Sequence, residues 1–187
     1  MSMEWIILGI VVIVLLAVIL IYNRLVSLRA NCRQGWADID AGLRQRHDLI
    51  PNLVSTVQGY AAHEKSALEA VIAARGRALA AHGPAEAQGA EMALGGALKN
   101  LFALAEAYPD LKANTNFQTL QHELADVEDK LAAARRAYNA ASADYNAGIE
   151  SFPAVLFAGA LGFKPQGFWE LGSDERATVG AAPKVSF

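Results

Sequence analysis

Between Trp5 and Tyr22 the chain reads WIILGIVVIVLLAVILIY, without one charge, and beyond it apolar residues recur in steps of three and four. The uncharged stretch makes about 27 Å of helix at 1.5 Å per residue, close to the hydrocarbon thickness of a bilayer. Trp5 and Tyr22 stand at its ends, where amphipathic rings favour the membrane interface. Inside lipid a backbone must satisfy its own hydrogen bonds, so a single span has to be helical. A cleaved signal would carry Lys or Arg ahead of a shorter apolar core, whereas here Glu4 precedes the stretch and Arg24 follows it. Arg29 and Asn31 flank Cys32 wrongly for a lipoprotein signal, and a buried core helix is rarely so long and uniform. The stretch predicts a retained single-pass anchor. Arg24, Arg29 and Arg33 follow with no acid before Asp38, which predicts a cytoplasmic C-terminal domain and an outer N-terminus. With no ionisable residue and no GxxxG pair, the span predicts neither a pore nor a strong dimer motif.

After Tyr22 the residues favouring strands are scarce and alanine, a strong helix former, is plentiful. Leu25, Leu28, Cys32, Trp36, Ile39 and Leu43 form one helical stripe that continues from the anchor. The segment RQRHDLIPNLV predicts a break, with Asp48 as N-cap and Pro51 in the first turn of the next helix. If Pro51 instead only kinks one long helix, the soluble part has three helices and its far end changes side. The second helix carries Leu53, Val57, Tyr60, Leu68 and Val71 and ends near Leu79. AHGPAEAQG is the one obvious loop, and a shorter third helix carries Leu94, Leu98, Leu101, Ala105 and Tyr108. The longest pattern runs through Phe117, Leu120, Leu124, Val127, Leu131, Ala134, Tyr138, Ala141 and Tyr145. That is a heptad seam of the coiled-coil kind, with Asn114 or Thr115 to cap its start. Four such helices with short connections predict an all-α fold: a transmembrane helix followed by an antiparallel four-helix bundle. The organisation expected is an anchor over 1–22, a bundle over 23–150 and a tail over 151–187.

The tail begins SFPAVLFAGALGFKPQGFWEL and carries Phe152, Phe157, Phe163, Phe168 and Trp169. In the four-helix topology the last helix returns to the membrane, so these aromatics meet the anchor or a partner. Equally, they can cap the open end of the bundle core. Residues from Gly172 to Phe187 are expected to be loosely ordered.

Composition narrows the function classes without naming one. Hydrophobic residues are 53% and charged residues 19%, too apolar for a disordered chain. A net charge of -3 gives no electrostatic reason to expect nucleic acid. One cysteine excludes an internal disulfide framework and a multi-cysteine zinc site. His47, His63, His82 and His122 form no H-x-x-x-H or Glu-x-x-His pair, so no metal site is expected. No phosphate-cradling glycine pattern or nucleophile elbow occurs, so neither a catalytic residue nor a cofactor is expected. Asp40 and Arg44 are spaced for a helix-surface pair.

GWADID, RQRHDLIPNLVSTVQGYAAHE, FQTLQHELADVEDKLAAARRAYNAASADYN and FPAVLFAGALGF, set behind an N-terminal anchor, together resemble the bacterial LemA family. The likeness runs to about Leu171, with Gly35 standing where alanine is usual. The resemblance implies a single-pass inner-membrane protein with a cytoplasmic helical domain. It also brings in a relative needed to form magnetosome membranes, and no catalytic residue to carry over. The function expected is a non-enzymatic, membrane-anchored scaffold that self-assembles and organises or remodels the membrane or a partner. The alternative is an adaptor or regulatory subunit of a membrane-bound enzyme. The partners expected are membrane lipid, further copies of the chain and a membrane protein. Trp5, Tyr22, Arg24 and Arg29 are the expected interface residues, the five tail aromatics the expected contacts, and Trp36, Asp48, Pro51, Leu131 and Tyr138 the structural positions.

Overall fold

The computed structural model describes residues 3–170. Among them the chain is all-α: α1 is Met3–Tyr60, α2 Lys65–Ala80, α3 Gly83–Ala105, α4 Pro109–Lys112 and α5 Thr115–Glu150. A 3-10 turn at Ala154–Leu156 follows. The expected fold class is the one found, and no strand occurs among the described residues. What was expected of Gly172 to Phe187 lies outside them.

The chain divides into two compact units. Among the described residues, the first joins residues 3–39 with Ala133–Phe168, and the second joins Asp40–Ala132 with Trp169 and Glu170. In the first unit α1 and α5 run antiparallel. A Cβ added at Gly35 would stand 3.0 Å from Tyr138 Cα, Cys32 bonds the Ala141 carbonyl, and Gly148 lies against Leu25 and Leu28. As numbers rise on one helix, they fall on the other. The absent side chain at Gly35 lets the backbone of α5 approach α1 closely. Leu25, Cys32, Tyr145, Ile149, Ala154, Ala158 and Phe163 form the core of this unit.

The second unit holds the four-helix part. Ile50, Leu53, Val57, Val71, Leu94, Leu101, Leu111, Phe117 and Leu124, from five different helices, share one buried cluster. α2 and α3 pack together across a two-residue connection, as an antiparallel helical hairpin does. Asn114 is the cap of α5, its Oδ1 accepting the Phe117 N–H at 3.0 Å. Asp40 and Arg44 form the expected pair at 2.8 Å.

Pro51 does not break the chain. It lies inside α1, and Asp48 is an exposed mid-helix residue rather than a cap. A proline within a helix frees the carbonyl four residues earlier, here that of His47. Arg75 of α2 donates its Nε–H to that oxygen at 2.8 Å, so a side chain supplies the hydrogen bond that the ring removes. The soluble part still has four long helices, because the break falls at Ala61–Glu64 instead. That turn is held from a distance: Tyr108 donates to Glu64 at 3.0 Å and Asn114 to the Tyr60 hydroxyl at 2.9 Å. AHGPAEAQG is also corrected. Only Ala81 and His82 leave the helical conformation, and α3 starts at Gly83 with Pro84 in its first turn, where a missing N–H is harmless.

The Pro51–Arg75 compensation gives a double-mutant test. Arg75→Ala leaves the His47 carbonyl without its donor and is expected to destabilise by about 1–3 kcal/mol. In a Pro51→Ala background the restored N–H supplies that bond, so the same substitution should lose most of its effect in denaturant titrations. Equal losses in both backgrounds would mean that Arg75 acts through something else.

Candidate functional site

The apolar stretch of α1 is the largest exposed hydrophobic surface in the first unit. None of its span window is buried, and Trp5 is 68% exposed. Its C-terminal end meets the tail. The Tyr22 and Phe163 rings make an edge-to-face pair at 5.6 Å, and the Arg29 guanidinium lies over the Phe163 ring at 4.8 Å. Phe163 is buried, and with Ala154 and Ala158 it packs the tail against Leu25 and Cys32 of α1, touching both a ring and a cation. Arg24 lines a small cleft here with Ile21, Leu25, Gly148 and Ser151.

A second clamp fixes the strand of tail that follows. The Asn146 side chain donates to the Gln166 carbonyl at 2.9 Å and accepts the Gln166 N–H at 2.8 Å. Tyr138 donates to the Gly167 carbonyl at 3.0 Å and accepts from the Gln166 amide at 2.9 Å. Tyr138-Asn139 and Tyr145-Asn146 stand out in the sequence as a seven-residue repeat. The use of Asn146 as a backbone clamp was hidden, because its partner lies 20 residues on.

The five tail aromatics are not equivalent. Phe163 and Trp169 are buried, Phe157 is half-buried, and Phe152 and Phe168 are 80% and 52% exposed. Phe152, Phe157, Phe163 and Phe168 belong to the first unit and Trp169 to the second. Trp36 is half-buried, while Leu131 and Tyr138 are fully buried.

Cys32 sits at the heart of the first unit, its thiol donating to the Ala141 carbonyl at 3.2 Å. Burial pushes the thiol pKa above its ordinary value. A folded-state pKa above the unfolded one stabilises fully below the unfolded value, and that stabilisation is lost as pH rises through the folded value. Unfolding midpoints should therefore fall beyond about pH 8.5, the unperturbed thiol value. Cys32→Ala should fall less over the same window, and an identical slope in the variant would exclude the thiol as the cause.

The second unit buries a polar group that sequence reading missed. Glu91 of α3 accepts from His47 Nε2 at 2.5 Å and from Arg46 at 3.3 Å, and Arg46 also pairs with Glu128 of α5 at 3.2 Å. His47 and Glu91 are buried, while His63, His82 and His122 are exposed. His47 Nδ1 has no hydrogen-bond partner. No grouping of three His, Cys, Asp or Glu able to hold a metal occurs among the described residues. The cluster ties three helices together and presents no nucleophile with a base.

The model of the LemA family matches residues 35–187. Magnetosome protein MamQ of Magnetospirillum gryphiswaldense is 28% identical, over 76% of this chain and 62% of its own length. MamQ 1 and MamQ 2 of Paramagnetospirillum magneticum are each 26% identical over the same shares. The chain thus spans less than two thirds of the curated relatives it matches.

Proposed function

The chain belongs to the LemA family, and from that premise we infer that it is a non-enzymatic scaffold that self-assembles at the membrane carrying it and organises or remodels that membrane or a partner. Membrane anchoring is supported by the long apolar helix and agrees with relatives named for the magnetosome. The observation that carries the scaffold reading is where exposed apolar surface lies. Beyond the bare span, the tail loop held against Tyr22 leaves Phe152, Val155, Leu156 and Leu161 uncovered. Apolar side chains clustered in the open mark a contact with lipid or protein. Resemblance to proteins named for the magnetosome agrees with work at a membrane.

Extraction of the full chain in mild detergent, followed by sizing, tests the proposal. A regular homo-oligomer supports the scaffold. Co-purification of one foreign chain in fixed proportion supports instead an adaptor or regulatory subunit of a membrane-bound enzyme.

The proposal includes a bacterial inner-membrane location with the C-terminal domain in the cytoplasm, supported by Arg24, Arg29 and Arg33 after the span. A reporter fused after Phe187 should resist protease added to intact cells and be cut once they are opened. Digestion in intact cells would reverse the orientation.

A further inference from the structure

We propose that the loop from Ser151 to Gly162 is a second membrane contact, lying in the headgroup layer beside the span with lipid as its occupant. The proposal rests on the membrane-anchored reading and deepens it, by giving the tail a partner. Four observations within the first unit point the same way.

Level comes first. Gly148 of α5 packs on Leu25 and Leu28, and one turn on, Ser151 shares a cleft with Ile21 and Arg24. α5 therefore ends where the uncharged stretch of α1 ends, and Phe163 returns the loop to Tyr22 at that same height. The exposed loop therefore stands at the end of the uncharged stretch, level with Ile21 and Tyr22.

Composition comes second. No charged residue lies between Glu150 and Lys164, and Phe152 and Leu156 are 80% and 72% exposed. Side chains of this kind left in water lose the free energy that burial in an apolar phase would return.

The backbone is the third. Val155, Leu156, Phe157, Ala158, Leu161, Gly162 and Phe163 each donate their N–H to a carbonyl between Ser151 and Gly159. A loop closed on itself in this way can leave water without orphaning those donors. Gly162, at φ +78, makes the turn that lets Phe163 reach Ala158.

The flanks are the fourth. Arg24, Arg29 and Lys164 border the loop, where cations meet anionic headgroups while the apolar tips sit deeper.

The experiment places a nitroxide on the full chain, with Cys32→Ala, at Leu156→Cys and separately at Phe152→Cys. Each protein is reconstituted into vesicles of phosphatidylethanolamine and phosphatidylglycerol, and collisions with oxygen and with an aqueous nickel complex are compared. Leu16→Cys in the span and Glu69→Cys on α2 are the references. The loop labels should favour oxygen over nickel several-fold more than Glu69→Cys does, approaching Leu16→Cys. Labels as open to nickel as Glu69→Cys would overturn the proposal. So would labels shielded from both reagents whose spin–spin broadening fades on dilution with unlabelled chain, which would make a second copy the occupant. If Leu16→Cys itself is open to nickel, the anchoring reading fails and the loop proposal falls with it. Failure at the loop labels alone leaves the anchor standing.

Discussion

Replacing Glu91 by alanine is expected to destabilise the second unit by about 3–5 kcal/mol, the range for breaking a buried ion pair from one side. The carboxylate receives His47 Nε2 at 2.5 Å and Arg46 at 3.3 Å, and its side chain is 4% exposed. Without it, His47 keeps no partner on its imidazole, since Nδ1 is already buried and unbonded. Arg46 fares better, because Glu128 remains 3.2 Å away. The larger part of the loss therefore belongs to the imidazole and to the space left in α3. Denaturant titration of the full chain in mild detergent, followed by helical circular dichroism, measures it. Replacing His47 and Glu91 together by leucine removes both polar groups and should end closer to the parent than Glu91→Ala alone. A loss within about 0.5 kcal/mol for Glu91→Ala, as at an ordinary surface site, would show that the group is not buried as described.

Leu131→Ala is expected to lose about 2–5 kcal/mol, the transfer of the side chain plus the cavity left behind. Leu131 is fully buried at 1% exposure, and its Cδ2 fills the place where a Cβ at Gly42 would stand, 2.7 Å away. The missing side chain on α1 and the large one on α5 are one packing unit. Leu131→Met, which nearly conserves volume, should lose less than about 1.5 kcal/mol. Gly42→Ala should then be better tolerated beside Leu131→Ala than alone, since the truncation clears the methyl that it would strike. Additive effects of the two would break the proposed contact.

Periodicity was the strongest signal in this sequence. The seam from Phe117 to Tyr145 lies along α5, where Phe117, Val127, Leu131, Tyr138 and Tyr145 are all at most 2% exposed. It was legible because long helices repeat the same burial every three or four residues, so each position reinforces the next. The uncharged stretch from Trp5 to Tyr22 was legible for a related reason, since an uninterrupted apolar run of this length is visible along the line. The LemA family likeness was carried by linear blocks and needed no geometry.

Local punctuation misled where the fold supplies what a breaker removes. Pro51 reads as a boundary, yet α1 continues because Arg75, 24 positions on, bonds the freed His47 carbonyl. GP in AHGPAEAQG reads as loop, yet it opens α3. The real break at Ala61–Glu64 has neither glycine nor proline and is held by Tyr108 and Asn114. At Pro51 and at Ala61–Glu64 the deciding hydrogen bonds join residues far apart in sequence, and no short window along the chain contains both partners.

The same division separates what the sequence determined from what only the tertiary structure decided. Chain-local physics settled the helical class, a stretch long and apolar enough to cross a membrane, the buried seam of α5 and the apolar character of the tail. Packing decided that Phe163 and Trp169 are buried while Phe152 and Phe168 stand in the open. It also decided that Asn146 clamps Gln166, and that Glu91, a charge that solvation would keep outside, is buried between Arg46 and His47. Solvation and periodicity act on each residue by its own chemistry, so they can be read along the line. A buried charge or an uncovered phenylalanine depends on which neighbours arrive from elsewhere in the chain, and only the folded arrangement brings those neighbours together.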